Sequence, residues 1–208
     1  MILSLSASSQ AQTTGAVTGS AYGASVSALT GSLPQTPAAT LPATGDIADA
    51  DLASVNVAGL LTTKTLSSVT TGVVGENAAS AQSYSTVQDV SILNGVITAK
   101  LVEAMASSTG NGAQAASNAA GTTLVDLVIN GVPTGVASPD PNTQIGIPGV
   151  GTLILNEQTP SGDGTTSSGL NVTALHLVLT KTDPLLGTTT KTGDIVVAAA
   201  GSSATFVR

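Results

Sequence analysis

The sequence predicts an all-β protein: a single antiparallel β-sandwich or jelly-roll-like domain with an extended N-terminal strand segment. Short runs of alternating apolar and polar residues recur along the chain, separated by clusters of turn-forming residues, and a helical period is almost absent. An Asn-Gly dipeptide between two apolar runs adds the strongest short-range hairpin signal. Gly59, Gly95 and Gly131 are evenly spaced, which leaves a β-solenoid as the alternative fold.

The first 31 residues are predicted to form the extended N-terminal strand segment. In Met1 to Ala7 apolar residues alternate with serines, so Leu3 and Leu5 share one face. The stretch that follows alternates more loosely and places Tyr22 and Val26 on one side. Residues 32–51 contain three prolines and no periodicity, which predicts a Pro-rich linker or loop. The sandwich itself is expected to comprise residues 52–208.

Two strands are expected at the start of the sandwich, joined near Gly59. Ala58 is a poor residue for positive φ, so a bulge is favoured over a turn at this point.

The next hairpin is predicted in DVSILNGVITAK, with Asn94 and Gly95 as the loop residues of a type I′ turn. This register opposes Asp89 to Lys100 as an ion pair on the outer face. The other face is expected to enter the core, and it carries Val90, Ile92, Ile97, Ala99 and Leu101.

The second half of the chain predicts further strands between turn signals. Residues 107–121 are interpreted as a flexible or weakly helical loop, and residues 124–129 as a buried strand because they are nearly all apolar. QIGI and GTLILNEQ follow as two strands around Pro148-Gly149. The most regular alternation is LNVTALHLVLT, which is apolar on both faces and therefore suits a central strand, and DIVVAAAGS provides the last strand.

The composition excludes several classes of function. The net charge is −7 with five Lys plus Arg in total, so no basic stripe exists to bind nucleic acid. Absence of cysteine removes disulfides and thiolate chemistry, and no apolar run approaches the roughly 20 residues of a membrane span. Only 8% of the residues are charged. Such a neutral, hydroxyl-rich surface suits an exported protein whose faces are covered by other copies.

His176 is the one histidine, and it lies in an apolar strand pattern. A catalytic triad would need a hydroxyl and a carboxylate around it, and metal ligation would need further ligands. A buried or edge-facing structural histidine is the favoured interpretation. The chain is therefore predicted not to be an enzyme, with no catalytic residue; a hydrolase that uses a carboxylate pair is the disfavoured alternative.

Two acidic stretches could offer oxygen ligands to calcium. One is DIADAD, with Asp46, Asp49 and Asp51, and the other is SPDPN, with Asp140 and Asn142. Neither matches the EF-hand loop, so turn-forming and capping roles are favoured. No metal site and no cofactor are predicted.

Several strand-and-turn motifs distributed over most of the chain resemble the choice-of-anchor P family of bacterial surface proteins. These motifs are AYGASVSALTGSLPQTPAATLP, ASVNVAGLL, VQDVSILNGVITAKLVEAMAS, LVINGVPTG, PNTQIGIPGVGTLILNEQ, LNVTALHLVLT and GDIVVAAAGSSATF. The resemblance implies a secreted, surface-associated β protein and transfers no active-site residue. Members of the family carry differing C-terminal anchors, whereas this sequence ends at Arg208 without such a motif.

The leading functional hypothesis is an extracellular structural subunit that polymerises with itself into a surface filament. One subunit would donate a β-strand to a sheet edge of the next. The donated strand is expected in Met1 to Ala7, with Leu3 and Leu5 filling the groove, or in Ala16 to Leu29, with Tyr22 and Val26 in that role. The alternative is a monomeric cell-surface adhesin or glycan-binding module that uses residues 107–121.

Overall fold

The computed structural model describes residues 14–42 and 45–208 and confirms the predicted antiparallel β-sandwich. Two sheets pack face to face, and consecutive strands are neighbours over much of each sheet. The described residues form neither a solenoid nor a closed barrel. Within the same ranges no helix has the length and apolar character needed to cross a membrane.

Sheet A is built from the two ends of the described chain, and strands are numbered in chain order. Its six strands are β1 (Thr14–Ala28), β2 (Gly31–Thr40), β13 (Thr143–Ile147), β14 (Gly151–Gly162), β15 (Ser167–Thr182) and β16 (Thr189–Val207). The spatial order is β13-β14-β15-β16-β1-β2. The N-terminal hairpin thus completes the sheet that the C-terminal strands begin.

Sheet B is built from the middle of the chain around the long hairpin β7 and β8. Its ten strands are β3 (Asp46–Leu52), β4 (Val55–Val57), β5 (Leu61–Thr63), β6 (Leu66–Val74), β7 (Ala79–Ile92), β8 (Ile97–Gly110), β9 (Ala115–Asn118), β10 (Thr123–Val125), β11 (Val128–Ile129) and β12 (Val132–Pro133). β6 and β5 pair with β7 on one side, and β9, β10 and β11 pair with β8 on the other.

The structure corrects the expected boundaries at the N-terminal side. β1 is paired with β16 along one edge and with β2 along the other, so this segment has partners in its own chain. Residues 32–51 were expected to be a linker or loop but supply most of β2 and β3. Pro34 and Pro37 are tolerated there because β2 is an edge strand, where a missing N–H breaks no ladder on the free side. Leu3 and Leu5 lie outside the described residues.

The hairpin turns near Gly59 and Gly95 each contain a glycine with positive φ. Asn94 and Gly95 both have positive φ, 53° and 93°, and Ile92 pairs with Ile97 as predicted. The connection at Gly59 is a turn and not the favoured bulge. Only Gly59 needs positive φ there, as in a type II turn, so Ala58 is no obstacle.

The predicted ion pair between Asp89 and Lys100 is wrong. Asp89 binds Lys64 with a nitrogen to oxygen distance of 3.0 Å, and Lys100 binds Asp126 at 2.8 Å. Asp89 has φ of 48°, which interrupts the alternation of the strand. As a result Leu101 is only half-buried, and its predicted place in the core is taken by Val102.

The interior changes character along the length of the strands. At the end where the turns at Gly59 and Gly95 lie, the sheets enclose large aliphatic side chains, among them Leu61, Ile92, Ile97, Leu153, Leu177 and Ile195. Toward the opposite end the inward positions are Gly, Ala, Ser and Thr. A small cluster around Phe206 closes that end.

Hydroxyl groups connect the two sheets where the side chains are small. Ser83 donates from Oγ to the carbonyl of Gly201 at 2.6 Å and also contacts the Thr70 hydroxyl at 2.8 Å. Ser108 contacts the Ser202 hydroxyl at 2.8 Å. These side chains are buried, so each hydrogen bond offsets the cost of removing a hydroxyl from water.

Residues 107–121 contain no helix. Residues 107–110 complete β8 and residues 115–118 form β9. β9 is held against sheet A because Ser168 donates to the carbonyl of Ala116 at 2.8 Å and Ser117 donates to that of Gly169 at 3.3 Å. The polar sequence of residues 115–118 is compatible with a loop, but pairing with β8 and hydrogen bonds to β15 make this segment a strand.

Candidate assembly surfaces

The free strand edges differ in how they are protected against pairing with another chain. β2 contains two prolines, and β3 carries Asp46, Asp49 and Asp51 with exposed side chains. Charges and prolines are the usual devices that prevent edge-to-edge association. These positions explain the DIADAD stretch as a protected edge strand, where turn-forming roles had been expected.

β13 pairs with β14 only as far as Leu155, and the remaining edge of β14 is also protected against pairing with another chain. The backbone N–H of Gln158 donates to the side-chain oxygen of Asn142 at 2.9 Å, and Pro160 has no N–H to offer.

By contrast, β13 is an edge strand of sheet A without a charged residue or a proline. A Cβ added at Gly146 would meet no atom within 4 Å, so a side chain at this position has open space on the face of the sheet. β13 is therefore the edge best suited to accept a further strand.

The hairpin between β15 and β16 extends beyond its neighbours. Leu179 pairs with Gly193, which also faces the end of β1, and the pairing of β15 with β16 continues outward to Thr182 and Thr189. We call the projecting residues 182–189 the tip. Its turn is held by Asp183, whose Oδ1 accepts the backbone N–H groups of Leu185 at 2.8 Å and Leu186 at 3.1 Å.

The tip presents two leucines to solvent. The exposed fractions are 93% for Leu185 and 74% for Leu186. Two adjacent, almost fully exposed leucines in a turn fixed by hydrogen bonds are a typical feature of an interaction surface. The sequence carried a signal for this surface, an apolar Leu-Leu pair between Pro184 and Gly187 where a hairpin turn is ordinarily polar.

An open groove of about 630 Å³ lies on the outward side of β6, β7 and β8. Val73, which is 60% exposed, supplies an apolar side chain on this outward side, whereas the side chain of Val74 adjoins Gly15 and Phe206 between the sheets. Polar lining comes from Asp46, Thr71, Ser80, Gln82, Ser107 and Thr109. We call this feature the groove.

The tip and the groove lie at opposite ends of the sandwich. β16 begins at the tip and ends at Val207, which pairs with Thr14. At that far end a Cβ at Gly15 would adjoin both Val74 and Phe206. Because Val74 is one of the groove residues, the groove lies at the same end. A strand of 19 residues spans roughly 60 Å, which separates the two features.

His176 lies on the outer face of sheet A between two carboxylates. Its Nδ1 is 2.7 Å from Glu157 Oε2 and its Nε2 is 2.9 Å from Asp194 Oδ1, and 18% of the side chain is exposed. Lys191 Nζ contacts the other oxygen of Asp194 at 2.8 Å. Burial disfavours the charged Asp194, but hydrogen bonds from Lys191 and His176 outweigh it and lower the pKa of this carboxyl.

This arrangement differs from a catalytic triad. A general-base histidine keeps one ring nitrogen for the nucleophile and uses the other to bind a carboxylate. Here both nitrogens contact carboxylates, so the cross-strand contacts of His176 hold β14, β15 and β16 together.

Among residues 14–42 and 45–208, no cluster of three or more His, Asp or Glu side chains is arranged to hold a metal ion. Asp140 and Asn142 instead shape the turn before β13. The carbonyl of Asp140 accepts the Thr143 hydroxyl at 2.7 Å.

Tyr22 and Val26 do not form one surface. Val26 is buried in the core, whereas Tyr22 is half-buried. Gly23 and Ala24 are buried in succession, which changes the alternation of β1 between Tyr22 and Val26 and explains why the two side chains part. Burial raises the pKa of the Tyr22 hydroxyl, against the lowering effect of hydrogen bonds with Ser25 and Gln35.

Comparison with protein-family models, with curated proteins and with solved structures finds no match to this chain.

Proposed function

We propose that this chain is a structural subunit that assembles head to tail into an extracellular filament. The observation that carries the proposal is the placement of an exposed apolar tip and an open groove at opposite ends of an elongated sandwich. Contacts between different surfaces of identical subunits generate open fibres when the rotation does not close a ring. The low content of charge and the resemblance to a secreted surface family support an extracellular location.

Strand donation is the proposed means of linkage. Residues 1–13 join β1 at Thr14, which lies at the groove end of the sandwich. An extended chain of 13 residues reaches at most about 45 Å, enough to extend onto a neighbouring subunit. The alternating Met1, Leu3, Leu5 and Ala7 would pair with the open edge of β13 in that neighbour. Residues 16–29 are not proposed for donation, because β1 already has partners on both sides.

Electron microscopy of the purified protein tests the proposal. Filaments are expected for the full chain, and deletion of residues 1–13 should abolish them while the shortened chain still unfolds cooperatively, because β1 and its pairs with β16 are retained. Gly146→Lys should have the same effect, because it adds a charge to the β13 edge without a clash inside the subunit.

Gln88→Lys is the matched control, since it adds the same charge at an exposed position of β7, away from the β13 edge. This variant should form filaments normally. A full-length protein that stays monomeric by light scattering at all concentrations would reject the filament. Filaments that persist in both test variants would reject strand donation alone.

A glycan-binding module is the second candidate, favoured by the hydroxyl and amide groups of the groove. Ser107 and Thr109, from the stretch expected to bind glycans, do line it. Sugar sites commonly add an aromatic platform, and the groove lining contains none. The nearby Tyr84 hydroxyl instead donates to Glu103. A monomer that binds a polysaccharide in calorimetry would support this candidate.

A further inference from the structure

We infer that Asn171 is the attachment site of an N-linked glycan, which covers the middle of the outer face of sheet A. Asn171-Val172-Thr173 has the Asn-x-Thr form of a glycosylation acceptor, and no other asparagine of the chain has Ser or Thr two residues later. The inference goes beyond the proposed filament. It rests on the proposed extracellular location but uses neither strand donation nor a contact between subunits.

The position of the acceptor in β15 makes both of its functional groups accessible. Successive side chains of a strand point to opposite faces of the sheet. The apolar neighbours Leu170 and Val172 therefore point into the core, where they are 4% and 1% exposed. Asn171 is exposed on the outer face, and the half-buried Thr173 lies on the same face. A transferase that recognises the amide and the hydroxyl together would approach both from one side.

A shallow trough of about 250 Å³ lies beside Asn171 and gives the first sugar residues a surface to rest on. We use the name trough for the depression whose floor is Ala199 and Gly201 of β16, between β15 on one side and β1 on the other. A Cβ at Gly201 would lie 2.4 Å from Asn171 Oδ1, so the glycine leaves space for the amide.

The lining of the trough suits an uncharged sugar. None of the described residues that line it is charged. Ser20, Gln35 and Thr173 supply hydroxyl and amide groups, which donate to and accept from sugar hydroxyls. Tyr22 lies in the wall opposite Asn171 and adds an aromatic ring against which the apolar face of a sugar can pack.

A glycan at this position also explains how a chain with so few charges stays dispersed. Only 8% of the residues are charged, and uncharged protein surfaces favour association. A bulky, hydrated glycan opposes such association. β14 separates β15 from the free edge strand β13, so a glycan on Asn171 leaves that edge open to a donated strand.

The attachment is a group transfer from a glycan carried on a lipid diphosphate. A bond forms between Asn171 Nδ2 and C1 of the first sugar, and the bond between C1 and the diphosphate oxygen breaks. The lipid diphosphate leaves with the electron pair, and one proton of the amide is released. The step needs no oxidant or reductant.

Mass spectrometry of the full chain, purified from its native host and denatured, tests the inference. The intact mass is expected to exceed that of the sequence, and fragmentation of the proteolytic peptides should place the added sugar on Asn171. A mass equal to that of the sequence would overturn the inference. Sugar that is released by denaturation alone would overturn it in favour of a glycan held without a covalent bond.

Variants expressed in the same host separate the acceptor chemistry from an effect on folding. Asn171→Gln and Thr173→Ala should each lose the whole excess of mass, and the second of them leaves the asparagine in place. Thr173→Ser should keep the excess, because serine retains the acceptor hydroxyl.

Asn77→Gln is the matched control and should also keep the excess of mass. Asn77 is likewise exposed, in the connection between β6 and β7, but Ala79 stands two residues after it. An excess that persists in both Asn171→Gln and Thr173→Ala would overturn the inference in favour of sugar on serine or threonine hydroxyls.

Filaments are scored on the same samples by electron microscopy, so that the two proposals fail in different ways. Filaments built from chains without sugar would overturn the glycan and keep the filament. A chain with sugar on Asn171 that stays monomeric at all concentrations would keep the glycan and reject the filament.

Discussion

At the scale of single residues, the sandwich depends on how closely its two sheets approach. Large aliphatic side chains hold the sheets apart at the tip end, whereas Gly and Ser bring them together toward the groove end. A Cβ built at Gly19 would lie 2.0 Å from Thr70 Oγ1 and 3.0 Å from Ser83 Oγ. The hydroxyl network therefore occupies the space that a larger residue on β1 would require.

Gly19→Ala is predicted to lower the free energy of unfolding by about 1–3 kcal/mol, the usual cost of overpacking a filled interior. Thr70 is buried and β-branched, so it has little freedom to move away. Denaturant unfolding measures the effect. Gly146→Ala is the matched control, because its new methyl group meets nothing within 4 Å. Equal stabilities of the two variants would contradict the close approach of the sheets.

At the scale of elements, a row of charged side chains and one histidine links three neighbouring strands on the outer face of sheet A. Glu157, His176 and Asp194 come from β14, β15 and β16, and Lys191 supports the last of them. Burial disfavours the ionised form of Asp194, but the hydrogen bonds from Lys191 and His176 favour it more strongly. The pKa of Asp194 in the folded chain is therefore below the ordinary value of 3.8. Ionised Asp194 consequently stabilises the fold.

The sign of this effect gives a prediction for pH. A group with a lowered folded pKa contributes its stability fully above the unfolded value near 3.8, and the contribution is lost as the pH falls through the folded pKa. The difference in melting temperature between the unmodified chain and Asp194→Asn should be full at pH 6 and should shrink below about pH 4. Lys191→Ala should weaken this pH dependence, since it removes a hydrogen bond to Asp194. A difference that grows toward low pH would contradict the assignment.

At the scale of the whole molecule, the N-terminal hairpin closes a sheet begun by the C-terminal strands. β1 lies between β16 and β2, and it contributes Val17, Ala21, Ala24 and Val26 to the interior. Burial of each valine is worth about 1.5–3 kcal/mol, and the two together approach the lower range of total stability for a domain. The segment is thus an integral strand of the sandwich.

Deletion of residues 1–28 is predicted to prevent cooperative folding, because it removes β1 and leaves β16 with an unpaired edge. Deletion of residues 1–13 should leave a cooperative transition, because it keeps β1 and its pairs with β16. Circular dichroism during heating distinguishes the two variants. A cooperative transition at the normal temperature in the longer deletion would show that β1 is dispensable.

The sequence by itself determined the features that depend on neighbouring residues. Alternation of apolar and polar residues specified an all-β chain, and the need for positive φ specified the turn at Asn94 and Gly95. The inward positions of Val90 and Ile97 followed from the same alternation. These properties are local, because each depends on a backbone preference or a period of two residues.

Only the tertiary structure decided which distant segments meet. Sheet order made residues 32–51 edge strands, and irregular backbone at Asp89 changed the partners of both predicted ion-pair residues. The two carboxylates at His176 come from strands on either side of its own, and the separation of the tip from the groove depends on the full length of β16. Each of these depends on strand pairing between residues far apart in the chain, which local preferences do not encode.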